Sequence, residues 1–324
     1  KRLYQRRVPR MFFDYTESGS WTEQTFQANE RHLQGLKFKQ RVLVDISDRD
    51  LASAMLDQPV TMPVALSPVG MTGLQHGDGE IKAARAAAQF GVPYALSTMS
   101  ICSIEDVASK TIKPFWFQLY VMRDRGFVKA LIERAKAAQC SALILTADLQ
   151  ILGQRHKDIK NGLSTPPKPT IKNILSTLGH PRWALSILSA NRRYFGNIVG
   201  HVSGVSDTSS LSEWTAKQFD PALTWNDVAW IKEAWDGPLI IKGIMTPEDA
   251  RLALESGADA IVVSNHGGRQ LDGAPATVEV LPEIKDSLGN ELEVWIDGGI
   301  RSGQDVLRVL ALGADAAMIG RPYI

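Results

Sequence analysis

The chain has 324 residues, 44% hydrophobic and 22% charged, with a formal net charge of +1. That is enough apolar material for a sizeable core, and a charge near zero argues against a general nucleic-acid binder. The two cysteines, Cys102 and Cys140, and the six histidines show no metal-type spacing, so core thiols in a reducing compartment and no metal centre are expected.

Residues 1–61 read as an N-terminal extension with a helix and irregular segments. Its basic start, "KRLYQRRVPRMFFDY", leads into no signal-type apolar core. No apolar stretch in the chain reaches the roughly 18 residues that would suggest a membrane span. From residue 62 onward, continuous apolar runs alternate with amphipathic stretches. The runs are "MPVALSP" (62–68), "PYALST" (93–98), "FWFQLY" (115–120), "SALILTAD" (141–148), "PLIIKGI" (238–244), "DAIVVSN" (259–265), "EVWIDGG" (293–299) and "DAAMIGR" (315–321). Unbroken apolar runs suit strands covered on both faces. Between them, "DRGFVKALIERAKAAQ", "TPEDARLALESG" and "SGQDVLRVLALG" carry helical spacing. Thr246 reads as an N-cap before Pro247, and the last two stretches end in glycine.

Eight strands alternating with helices predict an α/β fold, a (β/α)8 TIM barrel over 62–324 that forms one domain, 1–324, with the extension. No helical pattern follows the eighth run. One interval, 149–223, is too long for a plain strand-to-helix loop and predicts a lid or binding element.

Active sites in such barrels lie at the C-terminal ends of the strands. Polar residues fall there on almost every strand: Ser67, Ser97, Gln118 with Tyr120, Thr146 with Asp148, Lys242, Ser264 with His266, Asp297 and Arg321. Helix caps account for one or two of these but not for a ring. "DGGIRSG" (297–303) and "IGRP" (319–322) add glycines and arginines after the last two strands, a common phosphate site in barrels. After the sixth strand, "SNHGGRQLDG" (264–273) carries more than a turn needs. His266 titrates near neutral pH and suits a general base, with Asp148 to orient it. Arg269 and Arg155 are planar forks suited to a carboxylate. There is no P-loop, no complete dinucleotide fingerprint, and no nucleophile elbow around the serines of "GVSDTSS".

Together "SNHGGRQLDG", "WFQLYV", "IIKG", "DGGIRSGQDV" and "ALGADAAMIGRP" make the chain resemble the FMN-dependent L-2-hydroxy acid oxidases and dehydrogenases. Within that family it looks most similar to the bacterial flavin L-lactate dehydrogenases, and the likeness covers nearly the whole chain. The resemblance implies bound FMN. Lys242 then lies at the flavin N1/O2 edge, and Ser67, Ser97, Gln118, Thr146 and Ser264 hold the ring and ribityl chain. Asp297, Gly299, Arg301, Gly320 and Arg321 serve ribityl and phosphate. It also implies that Tyr15, Arg155 and Arg269 meet the carboxylate of a small 2-hydroxy acid and Tyr120 its hydroxyl, with His266 as base beside Asp148. The electron acceptor implied is a quinone or cytochrome, with an O2-using oxidase as the alternative, and the assembly implied is a homo-oligomer.

The chain departs from the family at Leu149 and Gln150, where a proline is frequent, and at Ser18–Ser20, where "SGA" is usual. Met99 and Met122 are candidates to line the substrate tail or simply to fill core. Residues 180–200, with Trp183, Leu185, Ile187, Leu188, Tyr194 and Phe195 beside Arg182, Arg192 and Arg193, suggest a membrane-surface patch or a lid. The expected location is cytoplasmic, with peripheral seating on the inner face of the cell membrane as the alternative.

Overall fold

The computed structural model describes residues 1–163, 170–202, 214 and 218–324. An antiparallel hairpin, β1 (Ser53–Met55) and β2 (Gln58–Val60), precedes eight strands. These are β3 (Val64–Leu66), β4 (Ala95–Ser97), β5 (Trp116–Leu119), β6 (Ala142–Thr146), β7 (Leu239–Ile244), β8 (Ala260–Val263), β9 (Glu293–Ile296) and β10 (Ala316–Ile319). They pair in the order β3-β10-β9-β8-β7-β6-β5-β4, and a parallel bridge from Leu66 to Tyr94 closes the ring. The fold is a (β/α)8 barrel, and each apolar run contains one strand.

Side chains alternate along a strand, so every second residue points to the barrel axis. Ala65, Ala95, Trp116, Ala142, Ile144, Ile240, Ala260, Val262, Trp295, Ala316 and Met318 form the buried interior. Large and small residues share that space, and Trp116 stacks on Trp295 with ring centroids 5.1 Å apart and planes 10° apart. Met55 and Val60 of the hairpin join the same cluster and close the floor. Two residues further along the inward columns stand Ser67, Ser97, Gln118, Thr146, Lys242, Ser264 and Asp297. The columns are apolar below and polar at the mouth.

The outward strand faces pack on helices built as their spacing predicts. Helix Arg125–Ala137 buries Phe127, Val128, Leu131, Ile132 and Ala135, and the Asp124 side chain caps it by accepting from Phe127 N. Burying each of these larger side chains contributes about 1.5–3 kcal/mol. Thr246 caps helix Pro247–Glu255, and Ser302 caps Gly303–Ala311.

The extension holds three helices rather than one, Arg2–Arg7, Arg10–Thr16 and Gln24–Gly35. The stretch after β6 carries helices His156–Lys160, Ile171–Leu178 and Pro181–Ser189. Its two ends are tied where Gln150 Nε2 donates to the Leu223 carbonyl at 2.7 Å, so Gln150 has a local function in this chain. "GVSDTSS" lies outside the described residues.

Candidate active site

The loop after β8 is fastened before it is functional. Asn265 and Asn29 exchange two amide hydrogen bonds of 2.9 Å, pinning the loop to helix Gln24–Gly35. Asp272 accepts from Thr22 N, Thr22 Oγ1 and Thr25 N, anchoring the start of that helix. Gln270 donates to the Ile151 carbonyl and accepts from Arg155 Nη2 at 3.1 Å, so it joins this loop to the insertion. Between these fasteners, His266, Gly267 and Gly268 all have positive φ, at 56°, 61° and 71°. A side chain at Gly268 would run into the Phe26 backbone, which requires glycine there. The non-glycine His266 is strained in this conformation, and such strain gathers where a side chain must be aimed.

It is aimed at a carboxylate. His266 Nδ1 lies 2.7 Å from Asp148 Oδ1. Burial alone would raise the Asp148 carboxyl, but His266 and Lys242 beside it hold it below the ordinary aspartate value. An ionised Asp148 accepts only, so Nδ1 carries the proton and Nε2 keeps its lone pair. Burial lowers His266 below its usual value, with Asp148 pulling the other way. The imidazole is therefore neutral and basic near pH 7. Behind the dyad, Lys242 Nζ donates to Ser264 Oγ at 2.7 Å and pairs with Asp297 Oδ2 at 3.1 Å. Burial would lower its ammonium, but Asp297 and Asp148 outweigh that and hold it charged.

Two guanidiniums face the same space. Arg269 Nη1 donates to the Tyr15 and Ser18 carbonyls, and its guanidinium lies 4.7 Å over the Tyr15 ring. Arg155 is lowered to about 10 by burial and by Arg269 beside it. Burial also keeps the Tyr120 phenol protonated, a donor rather than an anion. Arg321 gives hydrogen bonds to the Thr16, Ser18 and Gly267 carbonyls, yet burial with Arg269 and Arg301 nearby lowers it to about 9. Arg301 pairs with Glu30 at 2.6 Å. Arg155, Arg269, Arg301 and Arg321 thus gather positive charge around one cleft, an arrangement suited to anionic groups.

The residues enclose a cavity of about 310 Å³ at the barrel mouth, of the size that takes a cofactor. Tyr15, Ser67, Ser97, Tyr120, Thr146, Arg155, Lys242, His266, Arg269, Asp297, Gly299, Arg301, Gly320 and Arg321 line it. Asp148, Gln118 and Ser264 stand behind that lining. Ser67 Oγ, Gln118 Nε2, Thr146 Oγ1 and Asp297 Oδ1 are buried with no hydrogen-bond partner. Buried polar atoms are rarely left alone. Their ring round the mouth, with Lys242 at one side and arginines at the last strands, fits a polar ring system with a phosphate tail. FMN suits this donor set.

The remaining wall was not apparent from strand ends. Leu149, Leu152, Phe195 and Phe219 line the cavity with Met99. Phe195 belongs here rather than on an outer patch. Met122 does not line the cavity; it is 1% exposed in the core. Trp183 is likewise turned inward, packing against Phe12 with ring centroids 5.2 Å apart and planes tilted by 33°, and donating to the Leu74 carbonyl. Ile187 is half-buried, and Arg192 pairs with Asp78. Leu185, Leu188 and Tyr194 are exposed, as expected, and they have exposed apolar neighbours outside 180–200. Ile171, Ile174, Leu175 and Leu178 are all exposed along one face of helix Ile171–Leu178. Both cysteines are buried free thiols, with burial pushing Cys140 up to about 12. Among the described residues, no metal-type cluster occurs and no helix is long and apolar enough to cross a membrane.

The chain is similar to known proteins along nearly its whole length. Residues 4–324 match the family described as FMN-dependent dehydrogenase. The chain is 44% identical to an L-lactate dehydrogenase of Ectopseudomonas mendocina, over 99% of this chain and 84% of that one. It is 46% identical to an L-lactate dehydrogenase of Xanthomonas campestris pv. campestris, over 98% and 82%. Among solved structures it resembles a monotopic membrane protein, (S)-mandelate dehydrogenase, with a TM-score of 0.93 and 35% identity over 99% of this chain and 85% of that one. A mandelate oxidase structure matches with a TM-score of 0.81 and 36% identity, over 99% and 83%.

Proposed function

Because the chain belongs to the FMN-dependent dehydrogenase family, we propose that it oxidises L-lactate to pyruvate and passes the electrons to a quinone or cytochrome. The observation that carries the reaction type is the 2.7 Å His266–Asp148 pair opening onto the same cavity as Arg155 and Arg269. The preference for lactate is supported by the names of the 44–46% identical relatives.

The FMN, when bound, supplies the acceptor for two electrons and one proton. The protein's residues do the rest. Arg155 and Arg269 bind the substrate carboxylate, and Tyr120 donates to or accepts from its hydroxyl. The hydroxy acid gives up two electrons and two protons in becoming the keto acid: His266 Nε2 takes the proton that does not go to the FMN, and Asp148 stabilises the imidazolium that results. Lys242 offers fixed positive charge where electrons arrive, in a dry setting that strengthens it. Leu149, Phe195 and Phe219 make the apolar wall that excludes water from the substrate's tail.

The exposed stripe Ile171, Ile174, Leu175 and Leu178, with Leu185 and Leu188 on the next helix and Lys172 and Arg182 nearby, supports seating on an anionic membrane surface. The likeness to a monotopic membrane protein points the same way. Exposed Val42, Leu43, Val44 and Ile46 favour self-association. The alternative acceptor, O2, draws on the likeness to a mandelate oxidase. Turnover of L-lactate with a quinone analogue, measured beside oxygen uptake, tests the reading. Quinone reduction far faster than oxygen uptake supports it, and the reverse selects the oxidase.

A further inference from the structure

Asp158 lies behind the two arginines and takes no part in the reaction just described. It sits in the first turn of helix His156–Lys160, three residues after Arg155, the residue that precedes the helix. It is 7% exposed, and its Oδ1 has no hydrogen-bond partner. Its Oδ2 lies 3.9 Å from Arg269 Nη2, itself buried and without a partner. That separation is too long for a hydrogen bond but short for a Coulomb interaction. Asp158 does not line the cavity, whereas Arg155 and Arg269 do.

Arg269 does not need Asp158 to hold its place. The Tyr15 and Ser18 carbonyls, Ser18 Oγ and the Tyr15 ring already fix it. What Asp158 adds is charge. Two buried guanidiniums facing one carboxylate in a low-dielectric cleft would bind that anion very tightly, product as well as substrate. A clamp that grips both equally gains nothing in turnover and delays release.

Resting on the reading above, we infer that Asp158 is a positioning residue whose negative charge weakens the hold of Arg155 and Arg269 on carboxylates, so that the 2-keto acid leaves. Burial raises the Asp158 carboxyl, against the pull of Arg269 and Arg155, which fits a carboxylate held close to its cations but denied a bond to either. The groups facing it are Arg269, Arg155, Asp14 and Lys157. The first two are the clamp itself.

The test uses the FMN-loaded enzyme and pyruvate, titrated through the change in flavin absorbance. Asp158→Asn and Asp158→Ser remove the charge, and Asp158→Glu keeps it. Both neutral variants are expected to bind pyruvate about tenfold more tightly, equivalent to about 1.4 kcal/mol. KM for L-lactate should fall with it, while binding of uncharged L-lactamide stays unchanged and Asp158→Glu stays near wild type. A structural role predicts weaker binding, so an unchanged or raised Kd in the neutral variants overturns the inference. So does loss of folding in both while Asp158→Glu folds. If L-lactate fails to bleach the wild-type flavin, the functional reading fails; bleaching with an unchanged pyruvate Kd in the variants fails this inference alone.

Discussion

His266 and Asp148 stand 118 positions apart in sequence, yet His266 Nδ1 and Asp148 Oδ1 are 2.7 Å apart at the mouth of the barrel. The parallel order of β6, β7 and β8 puts the two strand ends two neighbours apart. The left-handed turn at His266–Gly268 then swings the ring inward. Asp148 fixes both the ring's orientation and its tautomer.

Removing either partner should therefore slow the chemistry without emptying the site. His266→Gln is expected to lower the rate of flavin reduction by about 10²–10⁴-fold. Asp148→Asn should fall in the same range, because an amide can offer its own N–H to Nδ1 and favour the unproductive tautomer. Stopped-flow flavin reduction measures both, with retained flavin absorbance as the check on folding.

The pH profile follows from burial. A base must be neutral to act, and burial lowers His266 below 6.5 despite Asp148. The kcat/KM of the protein should rise with pH through an apparent pKa below 6.5 and be level above it. Asp148→Asn removes the group that raises the imidazole, so its acidic limb should move to still lower pH. An acidic limb that moves upward in the variant contradicts the pairing.

The arginine clamp should show as substrate binding. Arg155→Lys keeps the charge but loses the planar fork and the bond to Gln270 Oε1. KM for L-lactate should rise about 10–100-fold, in keeping with loss of a charge-assisted bond worth about 1.5–3 kcal/mol. Steady-state kinetics with L-lactate and its neutral amide separate charge recognition from shape.

Stability at the barrel floor rests on Trp295, fully buried and stacked on Trp116. Trp295→Ala should cost about 3–5 kcal/mol, read by denaturant unfolding. The active-site spectrum should be retained at low temperature, since the tryptophan lies beneath the polar ring.

The exposed stripe predicts a surface property separable from catalysis. Ile174→Glu with Leu178→Glu should abolish co-flotation with anionic vesicles while leaving L-lactate oxidation by a soluble dye unchanged. Wild-type protein that stays with the soluble fraction contradicts membrane seating.

The barrel and most of its mouth were legible because seven of the eight barrel strands end their inward columns in a polar residue, as in Ala65 then Ser67, Trp116 then Gln118 and Trp295 then Asp297, while β10 ends in Gly320. The runs looked unbroken because the outward residues are also apolar, as helices on the outside demand. What stayed hidden comes from elements that no strand period reaches. Phe195 and Phe219 arrive from the insertion, whose path no local pattern dictates, and the mixed basic and aromatic run around Phe195 suits a surface patch as well as the lid whose place it takes. The stripe Ile171–Leu178 was readable at spacings of three and four, but nothing in its sequence says whether such a face is buried or exposed. Asn29 and Asp272 look like ordinary polar residues until the extension is folded over the loop.

The most direct measurement is an anaerobic absorption spectrum of the FMN-loaded protein before and after L-lactate, with D-lactate as control. Bleaching of the flavin bands by the L isomer alone is the predicted result. A flavin spectrum that neither isomer changes would contradict the central claim of a lactate-oxidising His266–Asp148 site.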